Sequence, residues 1–62
     1  MRVFNIAYGI KVNREWIENW SSVNVLAKNG HEAITKAGKY IQKNDIEGWT
    51  LEGVKLVCEV EG

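Results

Sequence analysis

Few side chains in these 62 residues could do chemistry: the only histidine is His31 and the only cysteine is Cys58. A nucleophile–base pair would need the two to meet. Cys58 falls on the same parity as Val54, Leu56 and Val60, the expected core parity of its strand, where a free cysteine behaves as a small hydrophobe. One histidine and one cysteine cannot complete a tetrahedral zinc site. Asp45 and Glu47 form a carboxylate pair near a turn, with no cleft to place them, and read as solvated surface. The segment KNGHE, residues 28–32, has one glycine where a phosphate loop needs several, and Lys28 is its only basic neighbour. The expectation is a non-enzymatic chain with no catalytic, cofactor-binding or metal-binding residue and no cofactor.

Residues suited to binding are more plentiful. Trp16, Ile17 and Trp20 lie near Arg14 in a polar context of Asn, Arg, Glu and Ser. Tryptophan and arginine are enriched among interface hot spots, so Arg14, Trp16, Ile17 and Trp20 are the candidate partner-binding residues. The other reading folds the two tryptophans over an uncovered sheet face as a second small core. Trp49 is expected in the main core beside the end of the helix. Lys36, Lys39 and Lys43, with Lys28 ahead of them, make a basic stripe for phosphates or an acidic protein, or else an ordinary solvated helix face.

The formal net charge is zero, against simple electrostatic binding to nucleic acid, but it is unevenly spread. Residues 1–44 carry a net of plus four and residues 45–62 a net of minus four. A molecule polarised in this way can self-associate or dock on a charged partner. With one cysteine no intrachain disulfide can form, and a reducing, cytoplasmic setting is expected. MRVFNIAYGI alternates too strongly for a signal peptide, and no stretch is long enough to span a membrane.

The elements that must position these residues follow from periodicity. The chain is expected to be one small α+β domain over residues 1–62. Phe4, Ile6, Tyr8, Ile10 and Val12 alternate with polar or small residues, so Val3 to Val12 is a strand with its even positions facing the core. Gly9 inside it signals a bulge or the close approach of another backbone. Asn13 to Ser22 lacks clear alternation and reads as a long hairpin loop with at most one helical turn. The second strand follows, from Val23 or as early as Trp20, with Val23, Val25 and Ala27 on one face.

Ala33, Ile34, Ala37, Tyr40 and Ile41 then recur at helical spacing. Asn29 is the expected N-cap, Glu32 completes a capping box and pairs with Lys36, and the helix ends near Asn44. Gly38 inside it costs about 1 kcal/mol against alanine and implies close contact with the sheet. The third strand begins at Gly48, with a bulge at Gly53 that brings Trp49 and Leu51 into phase with Val54. The order is β-β-α-β, a three-stranded antiparallel sheet in the order 2-1-3 with one helix on one face. One sheet face and both edges are left open, and a homodimer through an edge or the open face would extend a core this small.

The run VNVLAKNGHEAITKAGKYI resembles the strand–helix half of small phage- and prophage-encoded β-β-α-β accessory proteins, through Val23, Val25, Ala27, Asn29, Glu32, Ala33, Lys36 and Ala37. It is also similar to the strand–helix part of HicB-type antitoxins, but lacks their glycine- and proline-rich strand turn. The phage resemblance implies a protein that binds a host protein or complex in the host cytoplasm, as anti-CRISPR-like inhibitors of defence or nuclease complexes do. Binding of nucleic acid through the lysine stripe is the alternative function.

Overall fold

A computed structural model describes residues 1–44 and 46–61. Asp45, half of the carboxylate pair weighed above, lies outside the described residues. The elements are β1 (Arg2–Val12), β2 (Glu15–Ala27), α1 (Gly30–Ile41), a short 3-10 turn (Gln42–Asn44) and β3 (Gly48–Glu59). The sheet is antiparallel in the order β2-β1-β3, and α1 packs on one of its faces. This is the α+β architecture expected from the periodicity. The molecule is elongated, 42 × 18 × 14 Å. No helix among the described residues is long and apolar enough to cross a membrane.

Alternation on β1 builds the core. Phe4, Ile6, Tyr8 and Ile10 are buried, and Val12 is half-buried at the far end. Ala27 joins them from β2, and Ala33, Ala37 and Ile41 from the helix, with Ile6 and Ile41 fully buried. Small residues on the inner helix face let the helix sit close to the sheet. Gly38 shows the limit: a Cβ there would lie 3.0 Å from the Trp49 ring. The cost of glycine within the helix is thus offset by the room it leaves for a tryptophan against the core.

The helix starts where the capping logic places it. The Asn29 side chain accepts from the Glu32 N–H at 2.9 Å. The return arm lands one residue early, for the Glu32 carboxylate accepts from the Lys28 N–H at 3.4 Å. Helical structure ends at Asn44 through the 3-10 turn, as the polar stretch predicts.

The expected loop from Asn13 to Ser22 is instead mostly strand. β2 begins at Glu15, and only Asn13 and Arg14 turn the chain. Both have positive φ, 53° and 67°, the geometry of a type I′ hairpin turn. The alternation of β2 is hidden by a wide bulge. Tyr8 pairs with Ser21 and Ile10 with Ile17, so Glu18, Asn19 and Trp20 together oppose the single residue Gly9. Asn19 takes up the extra length with φ 51°. The β2 backbone closes on Gly9 so tightly that a Cβ there would lie 2.7 Å from the Ile17 carbonyl oxygen.

β3 carries two bulges. Ala7 pairs with Gly53 and Tyr8 with Leu51, so the extra residue is Glu52, adjacent to the expected Gly53. It brings Trp49, Leu51, Val54 and Leu56 onto the helix side of the sheet. A second bulge was not expected. Val3 pairs with Cys58 and Phe4 with Leu56, leaving Val57 unmatched and turning Cys58 to the opposite face, beside Val3. The expected core parity of β3 therefore fails in burial. Cys58 is exposed on the open face and Val60 is exposed beyond it, while Val54 and Leu56 are exposed on the helix side because the helix spans only part of the sheet's width.

Two carboxylates from the β3 side reach past β1 to the left-handed residues. Glu47 accepts from the Arg14 N–H at 3.1 Å, and Glu52 from the Asn19 N–H. Each satisfies a donor that the turn or bulge leaves without a ladder partner.

Two predictions test this account. Gly9→Ala should lower stability by about 2–3 kcal/mol, because its Cβ would push against β2 backbone. Gly53→Ala, whose Cβ would meet only the Ala7 Cβ at 3.9 Å, is the control, and equal losses in urea denaturation would refute the close-approach constraint. Arg14→Gly should raise stability by about 0.5–1 kcal/mol by relieving a left-handed side-chain residue. A fall in its denaturation midpoint would show that the Arg14 side chain contributes more than its backbone costs.

Candidate protein-binding surface

The hairpin places the sequence-derived candidates on two different sides of the molecule. Trp16 pairs with Lys11 on the open face of the sheet. The Lys11 ammonium stands 5.7 Å from the centre of the Trp16 ring, a cation–π contact. The ring edge runs on toward Gly48 of β3, 3.6 Å from where a Cβ would sit. Trp16 thus lies across the end of the open face and stays 53% exposed.

Trp20 goes the other way. The bulge at Asn19 turns it to the helix side, where its ring centroid lies 5.9 Å from that of Tyr8, at a tilt of 42°. Ile17 pairs with Ile10 on this side and is exposed. Arg14 is exposed at the tip of the hairpin. The structure brings Ile17 and Trp20 to the helix side and separates them from Trp16.

Trp20 forms one wall of a cleft of about 400 Å³. Tyr40, from the last turn of α1, lines it too, and the rest of the lining includes Tyr8, Ile10, Val23 and Ile46. Trp20 is 52% and Tyr40 53% exposed, while Tyr8 and Ile10 are core residues. Ser21 and Ser22 line the cleft on the β2 side. A half-open cleft of this size has room for at least one large apolar side chain. Tyr40 matched the helical core spacing in the sequence but stands outside the core, at the rim of the cleft. The signal that could have found it was its para-hydroxyl, which marks a ring able to sit half in water.

The lysine stripe is only partly free. Lys36 donates to the Leu26 carbonyl at 2.6 Å and pairs with Glu32 at 3.2 Å, so its ammonium is tied to the edge of β2. Lys28, Lys39 and Lys43 are exposed. His31 and Cys58 lie on opposite sides of the sheet, His31 on the helix and Cys58 on the open face beside Val3. Among the described residues no three or more His, Cys, Asp or Glu side chains come together in a way that could hold a metal ion. A smaller polar cleft, about 320 Å³, lies around Met1, Arg2, Lys28 and Glu59, where an exposed Arg2–Glu59 ion pair closes at 2.9 Å.

The hydrogen bond from Lys36 holds the Glu32 carboxyl below its ordinary pKa of 4.5, opposed by desolvation and aided by the Lys28 N–H. The folded value is the lower one, so this contribution to stability is present above the unfolded value and is lost as pH falls through the folded one. Carboxyl NMR titration should therefore find Glu32 below 4.5, and Lys36→Met should move it upward. An unchanged midpoint in the variant would remove Lys36 as the cause.

Comparison with family models, with curated proteins and with solved structures finds no match to this chain.

Proposed function

We propose that this chain is a non-enzymatic protein-binding module whose contact surface is the cleft between Trp20 and Tyr40. The observation that supports this reading is the pair of half-exposed aromatic rings flanking a cleft whose floor is the core itself, Tyr8 and Ile10. Large rings left in water beside a dry floor gain most from being covered, and such sites concentrate binding energy. Rigid placement adds to this. The Trp20 backbone is set by the Asn19 bulge and its ring packs on Tyr8, and the Tyr40 backbone is set by the last turn of α1, so little backbone freedom is lost when a partner docks. Ile17 extends the surface along β2. The finer reading, a phage-encoded inhibitor that binds a host defence or nuclease complex, rests on the resemblance of residues 23–41.

The test is quantitative capture from a bacterial lysate with the wild-type protein and the variants Trp20→Ser, Tyr40→Ser and Trp16→Ser. Folding of each is checked by circular dichroism. The partner should be retained by wild type and Trp16→Ser and reduced at least about tenfold by each of the other two. Capture that survives both cleft variants, or that depends on Trp16 alone, would refute the assignment.

A further inference from the structure

The direction of the backbone groups on β2 can be deduced from the bonds around it. The Met1 carbonyl accepts from the Val60 N–H at 2.9 Å and the Lys11 carbonyl from the Glu47 N–H at 3.0 Å. In an antiparallel ladder a residue turns its N–H and C=O to the same side. Odd residues of β1 therefore address β3, and even residues address β2. Their β2 partners Ser21, Val23, Val25 and Ala27 face inward. Ser22, Asn24 and Leu26 turn their backbone groups out of the sheet. The Lys36 ammonium on the Leu26 carbonyl agrees with this parity and covers that one group. The N–H and C=O groups of Ser22 and Asn24 are left facing outward.

The two edges of the sheet are not equivalent. β3 has bulges at Glu52 and Val57 with Lys55 between them, devices that blunt an edge against pairing. β2 from Ser21 to Ala27 has an unbroken register and no charged side chain. Ser21, Ser22 and Val23 also form the β2 side of the Trp20–Tyr40 cleft. An unblunted edge and a pocket for a side chain thus lie side by side.

We propose that this edge receives an extended segment of a partner protein as a fourth strand, bonded to Ser22 and Asn24. One large apolar side chain of that segment enters the cleft. An acidic residue faces the exposed Lys28 beyond the Leu26 end, within residues 1–44, which carry a net of plus four. The inference rests on the protein-binding reading and adds the form and chemistry of the partner. A second copy of this chain fits less well, for its own edge from Ser21 to Ala27 has no acidic side chain and is followed by the same Lys28.

The probe is a short blocked peptide of alternating threonine and valine with a central phenylalanine and a glutamate at each end. It is titrated into the isotope-labelled full chain and followed by amide NMR. Saturable shifts centred on Ser22 and Asn24 are expected. N-methylation of the peptide amides, or Phe→Ser in the peptide, should each weaken binding at least about tenfold. Glu→Lys in the peptide should weaken it most at low salt. Tyr40→Ser in the protein should weaken the parent peptide and leave the Phe→Ser peptide unaffected.

Four results would overturn the proposal. These are no shifts at millimolar peptide, shifts centred on Val54 and Leu56, indifference to N-methylation, or concentration-dependent self-association that protects Ser22 and Asn24 without peptide. If the peptides fail while lysate capture still depends on Trp20 and Tyr40, strand addition falls and the protein-binding reading stands. If capture is also indifferent to the cleft, both fall.

Discussion

The close approach of β2 to Gly9 is the constraint on which the rest of the structure depends. Three residues of β2 cross over one residue of β1 there, and only a position without a Cβ leaves the Ile17 carbonyl room. The crossing bends β2, places Asn19 in a left-handed conformation and swings Trp20 out of the alternation that Trp16 obeys. The cleft exists because Trp20 was turned to the helix side. The Glu52 carboxylate uses the same gap, passing over Gly9 to reach the Asn19 N–H.

The acidity of the C-terminal segment then has an internal use. A strand at one edge of a sheet cannot bond to the other edge strand through its backbone. Glu52 makes that link with its side chain, accepting from the N–H of Asn19 in β2, and Glu47, just ahead of β3, does the same for Arg14 in the turn between β1 and β2. Carboxylates suit the task because an ionised acceptor binds a backbone N–H more strongly than a neutral one. At the opposite end of the sheet Arg2 of β1 and Glu59 of β3, neighbours in the ladder, are joined only by an exposed ion pair, the weakest kind of tie.

The legible parts of the fold were those set by local rules. The buried positions of β1, the Asn29 cap, the Glu32–Lys36 pair, the strand order and the close contact at Gly38 could all be read from spacing and residue type. The illegible parts were those in which one strand answers to another. The first part of β2, Glu15 to Ser22, reads as a loop because the bulge opposite Gly9 breaks its alternation. The better signals were Asn13 at a two-residue turn and the strand-forming Trp16, Ile17 and Trp20 beyond it. Cys58 was misplaced because the bulge at Val57 leaves no mark in the residue types. Of the candidate surface, the exposure of Trp16 and Trp20 was one of the two readings the sequence offered, but their division between the two faces and the place of Tyr40 at the cleft rim were not legible.

The central position of β1 also bears on how the sheet assembles. The strand made first is the one both others need, and its second partner is made last: Arg2 pairs with Glu59. During synthesis the β1–β2 hairpin and the helix can form early, but the β3 side of β1 stays an open, apolar edge until the final strand emerges. Glu47 and Glu52 arrive with that strand, so the left-handed residues of the hairpin are the last to find their partners. A chain with contacts this distant in sequence pays a loop-closure cost before its sheet is complete, and folding slowly is the expected result.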